Sequence, residues 1–308
     1  MCVFQYREWN FAKSKYQTAW CQVKEKSPRA VGATELPFGE QVARETGEID
    51  DVRCREKGRV LQRQLMQYFN TYRWKRRQTE GPELDLPAFI DSRIEQRRGG
   101  RPSEKIFLNR VRTDLAFGLT ILCDSSLSTD SWVNGHHTYH VIREAAAILS
   151  FALDGVDVPW SLAAFNSFTR HECHYRLLKD FQDHPRVLRG NLAMIKPDGY
   201  TRIGPALRHA ASRLEALRAR RNMLIVVTDA KPTDYDYYDG RYGAEDVRRA
   251  VLELKAKRIE TYGLSISDTT KEQSVRMFGH ATASCTTPEQ LSRLLFQFFV
   301  KFISKKNH

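Results

Sequence analysis

No stretch of this 308-residue chain approaches the roughly 20 continuous apolar residues of a membrane-spanning helix, so insertion into a bilayer is not expected. Its start, Met1-Cys2-Val3-Phe4-Gln5-Tyr6-Arg7, lacks the charged-then-apolar layout of a signal peptide, and the expected location is the cytoplasm. The six cysteines include no C-x-x-C pair and are scattered over a large chain, which argues against a disulfide framework and leaves reduced thiols. Also missing are G-x-S-x-G, H-E-x-x-H and G-x-x-x-x-G-K-S/T. Without a nucleophile–base pattern or a phosphate-cradling loop, the chain is expected neither to be an enzyme nor to hydrolyse ATP. No internal repeat or low-complexity tract stands out.

What is present is an ordinary globular composition, 41% apolar and 28% charged, long enough for one large domain or two. The net charge is +12, and residues 1–110 carry 22 Lys and Arg against 15 Asp and Glu. Such a surplus suits nucleic acid, an acidic protein or a lipid surface, and by itself selects none of them.

Residues 1–110 read as a helical or irregular N-terminal region. Tyr16 and Trp20 are spaced i,i+4, which suggests one face of a short helix. A linker or mobile loop is expected near 29–50, where Pro, Gly and acidic residues show no periodicity. Helical spacing of Val60, Leu61, Leu65, Met66 and Phe69 predicts a helix from about Val52 to Arg77, with Arg73-Trp74-Lys75-Arg76-Arg77 as its solvated end. A second helix is predicted over Pro87 to Gln96. Residues 111–308 alternate short apolar runs with helical periods. The pattern predicts strands at 114–123, 159–166, 172–178, 222–228, 259–266 and 281–286. Helices are predicted at 133–154, 184–193, 204–219, 244–257, 270–277 and 288–304. That interleaving implies an α/β fold with a doubly wound, mostly parallel sheet flanked by helices, with 159–166 and 172–178 as its antiparallel exception.

The apolar run Leu115 to Cys123 ends in Asp124-Ser125-Ser126-Leu127-Ser128, a carboxylate and two hydroxyls spaced D-x-S-x-S. A second apolar run, Met223 to Thr228, ends in Asp229, and Thr201 lies in the loop Pro197-Asp198-Gly199-Tyr200-Thr201. Parallel strands end on one rim, so Asp124, Ser126, Ser128, Thr201 and Asp229 are candidate oxygen ligands for a small divalent cation such as Mg²⁺ or Mn²⁺. The bland alternative is that these Asp and Ser residues merely cap helices and turns. Beyond Asp229, the segment Thr233–Gly243 holds four tyrosines, three aspartates and Arg241. Tyr235, Tyr237, Tyr238, Arg241 and Tyr242 are candidates for a partner-binding lip, since aromatic and Arg residues dominate binding hot spots; the alternative is a solvated loop packed on the next helix. On a strand, His171-Glu172-Cys173-His174 sends alternate residues to opposite faces, so no face collects three ligands.

From Asp114 onward these residues resemble a von Willebrand factor A domain, whose metal-ion-dependent adhesion site would use Asp124, Ser126, Ser128, Thr201 and Asp229. The stretches Asp124-Ser-Ser-Leu-Ser-Thr-Asp-Ser-Trp-Val-Asn134, Asp198-Gly-Tyr-Thr-Arg-Ile-Gly204 and Thr228-Asp-Ala-Lys-Pro-Thr-Asp-Tyr-Asp-Tyr-Tyr-Asp-Gly-Arg-Tyr-Gly243 are similar, more narrowly, to the NorD family of nitric oxide reductase activation proteins and their CbbO relatives. Arg7-Glu8-Trp9-Asn10, Trp20-Cys21-Gln22-Val23 and Gly81-Pro-Glu-Leu-Asp-Leu-Pro-Ala88 resemble the region preceding that domain. The resemblance implies a non-catalytic adaptor that docks proteins through its metal. Its implied partners are a hexameric MoxR-class AAA+ ATPase (NorQ-like) and a client, nitric oxide reductase; in the CbbO branch the client would be Rubisco. A nucleic-acid-binding A domain is disfavoured because no aromatic–basic recognition motif accompanies the charge. A Mg²⁺-dependent phosphoryl-transfer enzyme would need a base or nucleophile beside the cation. Ala230 stands where the family usually carries glycine, and alanine tolerates positive φ poorly, so a different turn is expected there.

Overall fold

The structure, a computed structural model, describes residues 2–27, 51–69, 72–112, 117–133, 135–156, 158–266 and 271–305. The expected linker near 29–50 lies outside them. Two compact units divide the chain, one made of Met1–Arg63 with Ala116–His308 and the other of Gln64–Leu115.

The first 27 residues correct the expected short helix. Strand β1 (Cys2–Asn10) and strand β2 (Lys15–Lys26) form an antiparallel hairpin. The i,i+4 spacing of Tyr16 and Trp20 fits a strand face as well as a helix face, so it cannot separate the two. Composition decides, because the segment is aromatic-rich and buries Cys21 and Val23 at period two. Helix α1 (Asp51–Phe69) starts as expected but stops eight residues early. The basic run beyond it belongs to strand β3 (Tyr72–Gln78).

In the smaller unit β3 pairs antiparallel with β5 (Phe107–Arg112), which also receives the short β4 (Glu83–Leu84). Helix α2 (Leu86–Arg97) follows β4. Buried Asp85 accepts from the Ala88 amide at 3.4 Å as its N-cap and from Arg76 Nε at 3.0 Å. Pairing with a strand some 30 residues on, rather than local propensity, makes the basic run extended.

The larger unit is built on one eight-stranded sheet. In chain order its further elements are β6 (Phe117–Asp124), β7 (Trp132–Val133), β8 (His136–His137), α3 (Thr138–Ala152), β9 (Trp160–Thr169) and β10 (Glu172–Lys179). They continue with α4 (Pro185–Asn191), α5 (Ile203–Ala216), β11 (Arg221–Thr228), α6 (Gly240–Ala256), β12 (Ile259–Ser265), α7 (Lys271–Phe278), β13 (Thr282–Ser284) and α8 (Pro288–Ser304). The strand order is β1-β2-β10-β9-β6-β11-β12-β13. Strands β9, β6, β11, β12 and β13 run parallel, and β10 is antiparallel to β9. The hairpin extends this sheet, because β2 pairs parallel with β10. Helix α3 begins five residues later than expected, since β7 and β8 turn back on each other around Gly135, at φ 79°.

Every residue of β6 is buried, as in a strand covered on both faces. Leu122, Leu224 and Val226 join one core with Ile203 and Leu207 of α5, Val247 and Leu254 of α6 and Met277 of α7. Ile121, Cys123 and Val227 face Ile142 and Leu149 of α3 and Leu291 and Leu295 of α8. Each such aliphatic side chain contributes roughly 1.5–3 kcal/mol by leaving water. These two cores lock the register β6–β11, with Cys123 opposite Val227, and so bring the polar ends of both strands to one rim.

Candidate functional site

Asp124 is the last residue of β6 and is wholly buried. Its Oδ2 accepts from Thr228 Oγ1 at 2.7 Å, tying the end of β6 to the end of β11. Its Oδ1 accepts from the Ser126 amide at 2.9 Å, and Ser126 Oγ lies 2.9 Å from Ser128 Oγ. Asp229, only 4% exposed, follows β11 directly, and its Oδ1 accepts from the Lys231 amide at 3.1 Å.

The loop carrying Thr201 is laced to both of these loops. The Asp198 amide donates to Ser125 O at 2.8 Å and the Leu127 amide to Gly199 O at 3.0 Å. Thr201 and Thr233 exchange backbone hydrogen bonds at 2.7 and 3.1 Å, and Thr233 stands four residues beyond Asp229. Tyr200 and Ser167 exchange two more, at 2.8 and 2.6 Å. Gly199 permits this closeness: it sits at φ 64°, and a Cβ there would meet Ser167 O at 2.4 Å. The three loops thus form one hydrogen-bonded rim, and Ser126, Thr201 and both carboxylates are buried within it while Ser128 is exposed.

Burial, and secondarily the charge on Asp229, pushes the Asp124 carboxyl up to about 7. Among the described residues neither Asp124 nor Asp229 has a Lys or Arg partner. Two carboxylates kept from water without a counter-charge are costly unless a cation joins them. The donor set of two carboxylates with the hydroxyls of Ser126, Ser128 and Thr201 is all oxygen, which fits a hard cation such as Mg²⁺ or Mn²⁺. Among the described residues no cluster of three or more His, Cys, Asp or Glu has the arrangement of a metal site. His171 lies in the turn before β10 rather than on a strand, and Cys173 and His174 are buried in β10.

Ala230 departs from expectation in an instructive way. It keeps the left-handed turn, at φ 61°, fully buried, with its amide donating to Thr228 Oγ1 at 3.1 Å. The surrounding hydrogen bonds hold a conformation that costs alanine about 1 kcal/mol.

The five lip candidates separate. Tyr235 and Tyr237 are 77% and 89% exposed. Tyr238, by contrast, is fully buried, donating to Asp246 Oδ2 at 2.9 Å with its ring 4.4 Å from the Arg202 guanidinium. Tyr242 is half-buried and donates to Glu8 Oε1 at 3.0 Å, and Arg241 stacks over Phe11 at 4.4 Å. Tyr238 is therefore corrected to a core residue, because its hydroxyl finds a buried carboxylate. Three residues not singled out by sequence, Leu127, Trp132 and Tyr200, are exposed on the same loops at 58%, 67% and 39%. The signal for them was faint: isolated large apolar residues inside otherwise polar loops.

Sequence reasoning also missed Arg202, the residue after Thr201. Its side chain is 1% exposed and donates to Glu8 Oε2 at 2.5 Å, to Asp234 Oδ2 at 2.8 Å and to Asp236. Burial opposes its charge, but the Glu8 and Asp234 carboxylates outweigh that and hold the guanidinium above its ordinary range. Glu8 belongs to β1, so the N-terminal hairpin is ionically joined to the rim.

A doubly wound sheet with an oxygen-rich rim of this kind defines an A-type domain, and the chain belongs to the von Willebrand factor type A domain family, whose model matches residues 119–294. It is similar to Protein NorD of Stutzerimonas stutzeri, 30% identical over 274 residues, covering 88% of this chain and 42% of that protein. To Protein NorD of Brucella abortus (strain 2308) it is 34% identical over 206 residues, covering 66% and 32%. The chain therefore spans less than half the length of these curated relatives. Among solved structures, the vWF domain of the type V pili tip protein Mfa5 from Porphyromonas gingivalis matches with TM-score 0.49 and 8% identity, over 62% of this chain and 97% of that one. Among the described residues no helix is long and apolar enough to cross a membrane.

Proposed function

We propose that the chain is a metal-dependent docking adaptor with no catalytic step of its own. The reading rests on one observation: Asp124, Ser126, Ser128 and Asp229 are gathered with the Thr201 loop on a single rim, two buried carboxylates among hydroxyls that, among the described residues, pair with no Lys or Arg. Asp124, Ser126, Ser128, Thr201 and Asp229 would hold a divalent cation. When bound, it would supply an electrophilic site that a carboxylate from another protein completes. The exposed Leu127, Trp132, Tyr200, Tyr235 and Tyr237 on the same loops offer apolar surface around that carboxylate.

Similarity to the NorD proteins supports the setting. In this proposal the partner is a MoxR-class AAA+ ATPase of the NorQ kind, acting in the cytoplasm, and the client is nitric oxide reductase, whose maturation the pair assists. Pull-downs of a tagged NorQ-like ATPase and of the reductase, with and without EDTA and with Asp124→Ala, test it. Loss of at least one partner under both treatments, with the circular dichroism unchanged, is expected. Persistence of both partners under both treatments would overturn the metal-docking account.

A further inference from the structure

The end of the sheet opposite the metal rim carries cations that the docking site does not use. Strands β11 and β12 begin there, at Arg221 and Ile259, whereas Asp124 and Thr228 stand where β6 and β11 finish. Eight residues of β11 at about 3.3 Å each separate the two ends by roughly 25 Å. A groove of about 1140 Å³ opens at this base, between the starts of β11 and β12, α6, α7 and the end of α8. Arg220, Lys255, Arg258, His280 and Lys301 line it, all exposed and, among the described residues, without a carboxylate partner. Among the described residues its one lining carboxylate, Glu260, is already held by Arg221 at 3.0 Å and by Lys305. The groove is therefore strongly cationic in its free state.

Backbone conformation at the groove is a second observation. Arg258 follows the C-cap Lys257 of α6 and sits at φ 60°, the left-handed position where helices favour glycine. Helix α5 ends the same way at the same end of the sheet, with Arg218 at φ 53°. The chain carries strain there and keeps a guanidinium. The groove is also partly apolar. Leu252 and Val275 on its walls are 47% and 39% exposed, above a floor that includes buried Ile259 and Met277. Its aromatic rings, Tyr262 and Phe278, are 1% and 5% exposed, leaving no free face on which a nucleic-acid base stacks.

We propose that this basal groove docks an acidic, amphipathic segment of a second protein. Its carboxylates meet Arg220, Lys255, Arg258 and Lys301, and its aliphatic residues cover Leu252 and Val275. This goes beyond the metal-rim proposal and is independent of it, so that the two ends of the sheet hold different proteins.

The test uses the full chain and a fluorescein-labelled helical peptide of about 20 residues, Glu-rich with leucines at i,i+4 spacing, read by fluorescence anisotropy. A thymidine oligonucleotide of equal charge is the competing arm, and both are measured at about 0.15 M salt in EDTA. The peptide is expected to bind more tightly than the oligonucleotide, and Asp124→Ala leaves that binding unchanged. Arg258→Gly relieves the left-handed strain, so Tm should hold or rise while peptide binding weakens roughly two- to fivefold. The combination Lys255→Glu, Arg258→Glu and Lys301→Glu, all at exposed positions, should weaken it more than about tenfold. Binding indifferent to both sets of variants, or oligonucleotide binding as tight as peptide binding, overturns the proposal. Failure of the metal-rim proposal would instead appear as indifference to EDTA and Asp124→Ala in the pull-downs, so the two outcomes are separable.

Discussion

Replacing Arg202 by methionine keeps much of the side-chain volume and removes the charge at the junction between the hairpin and the rim. Three carboxylates lose a partner, but unequally. The Glu8 and Asp234 side chains are 2% and 0% exposed and cannot rehydrate, whereas that of Asp236 is 21% exposed and can. Stranding one partner of a buried pair costs about 3–5 kcal/mol. Arg202→Met is therefore expected to cost about 4 kcal/mol, a large share of the roughly 5–15 kcal/mol that keeps a domain folded. Glu8→Gln retains an acceptor for Arg202 and a partner for the Tyr242 hydroxyl, and should cost about 1–2 kcal/mol. Asp236→Asn, at the wet edge, should cost under about 1 kcal/mol. Urea denaturation followed by circular dichroism ranks the three directly. A cost below about 1 kcal/mol for Arg202→Met, or equal costs for Arg202→Met and Glu8→Gln, would refute the view of Arg202 as the buried ionic link.

Gly199→Ala places a Cβ against Ser167 O in a left-handed backbone and should cost about 2 kcal/mol of urea stability; a neutral result would mean that the Thr201 loop does not lie against β9. Lys179 donates to Trp160 O at 2.7 Å and Asp180 O at 2.8 Å, and burial pulls its ammonium down to about 8 from the usual 10.5. Below about 8 both folded and unfolded chains hold this proton; between about 8 and 10.5 only the unfolded chain holds it, so this group favours folding progressively more as pH rises through that window. Relative to Lys179→Met, the natural chain should gain about 2 kcal/mol of stability across it, after allowance for screening; urea midpoints at both ends of the window that move in parallel would contradict the burial.

Much of this molecule is local and therefore legible in one dimension. Buried parallel strands must be continuously apolar, which marks β6 and β11, and α8 occupies the predicted 288–304 because Thr287 caps it and its apolar spacing never wavers. The polar residues that end those strands follow from the same pattern, which puts Asp124 and Asp229 on one rim. The hairpin was not legible, since i,i+4 spacing serves both periods and pairing with β10 decides between them. Nor was β3, whose basic run becomes extended only through β5.

Periodicity and strand-end chemistry thus established the layered α/β plan and the candidate ligands, because both are set by neighbours in the chain. Partners distant in sequence settled the rest. Arg202 meets Glu8 across 194 positions, Tyr238 turns inward because Asp246 waits for its hydroxyl, and the basal cations gather from the ends of several separate elements. Burial and charge pairing are properties of three-dimensional neighbourhoods, and folding alone brings those neighbourhoods into being.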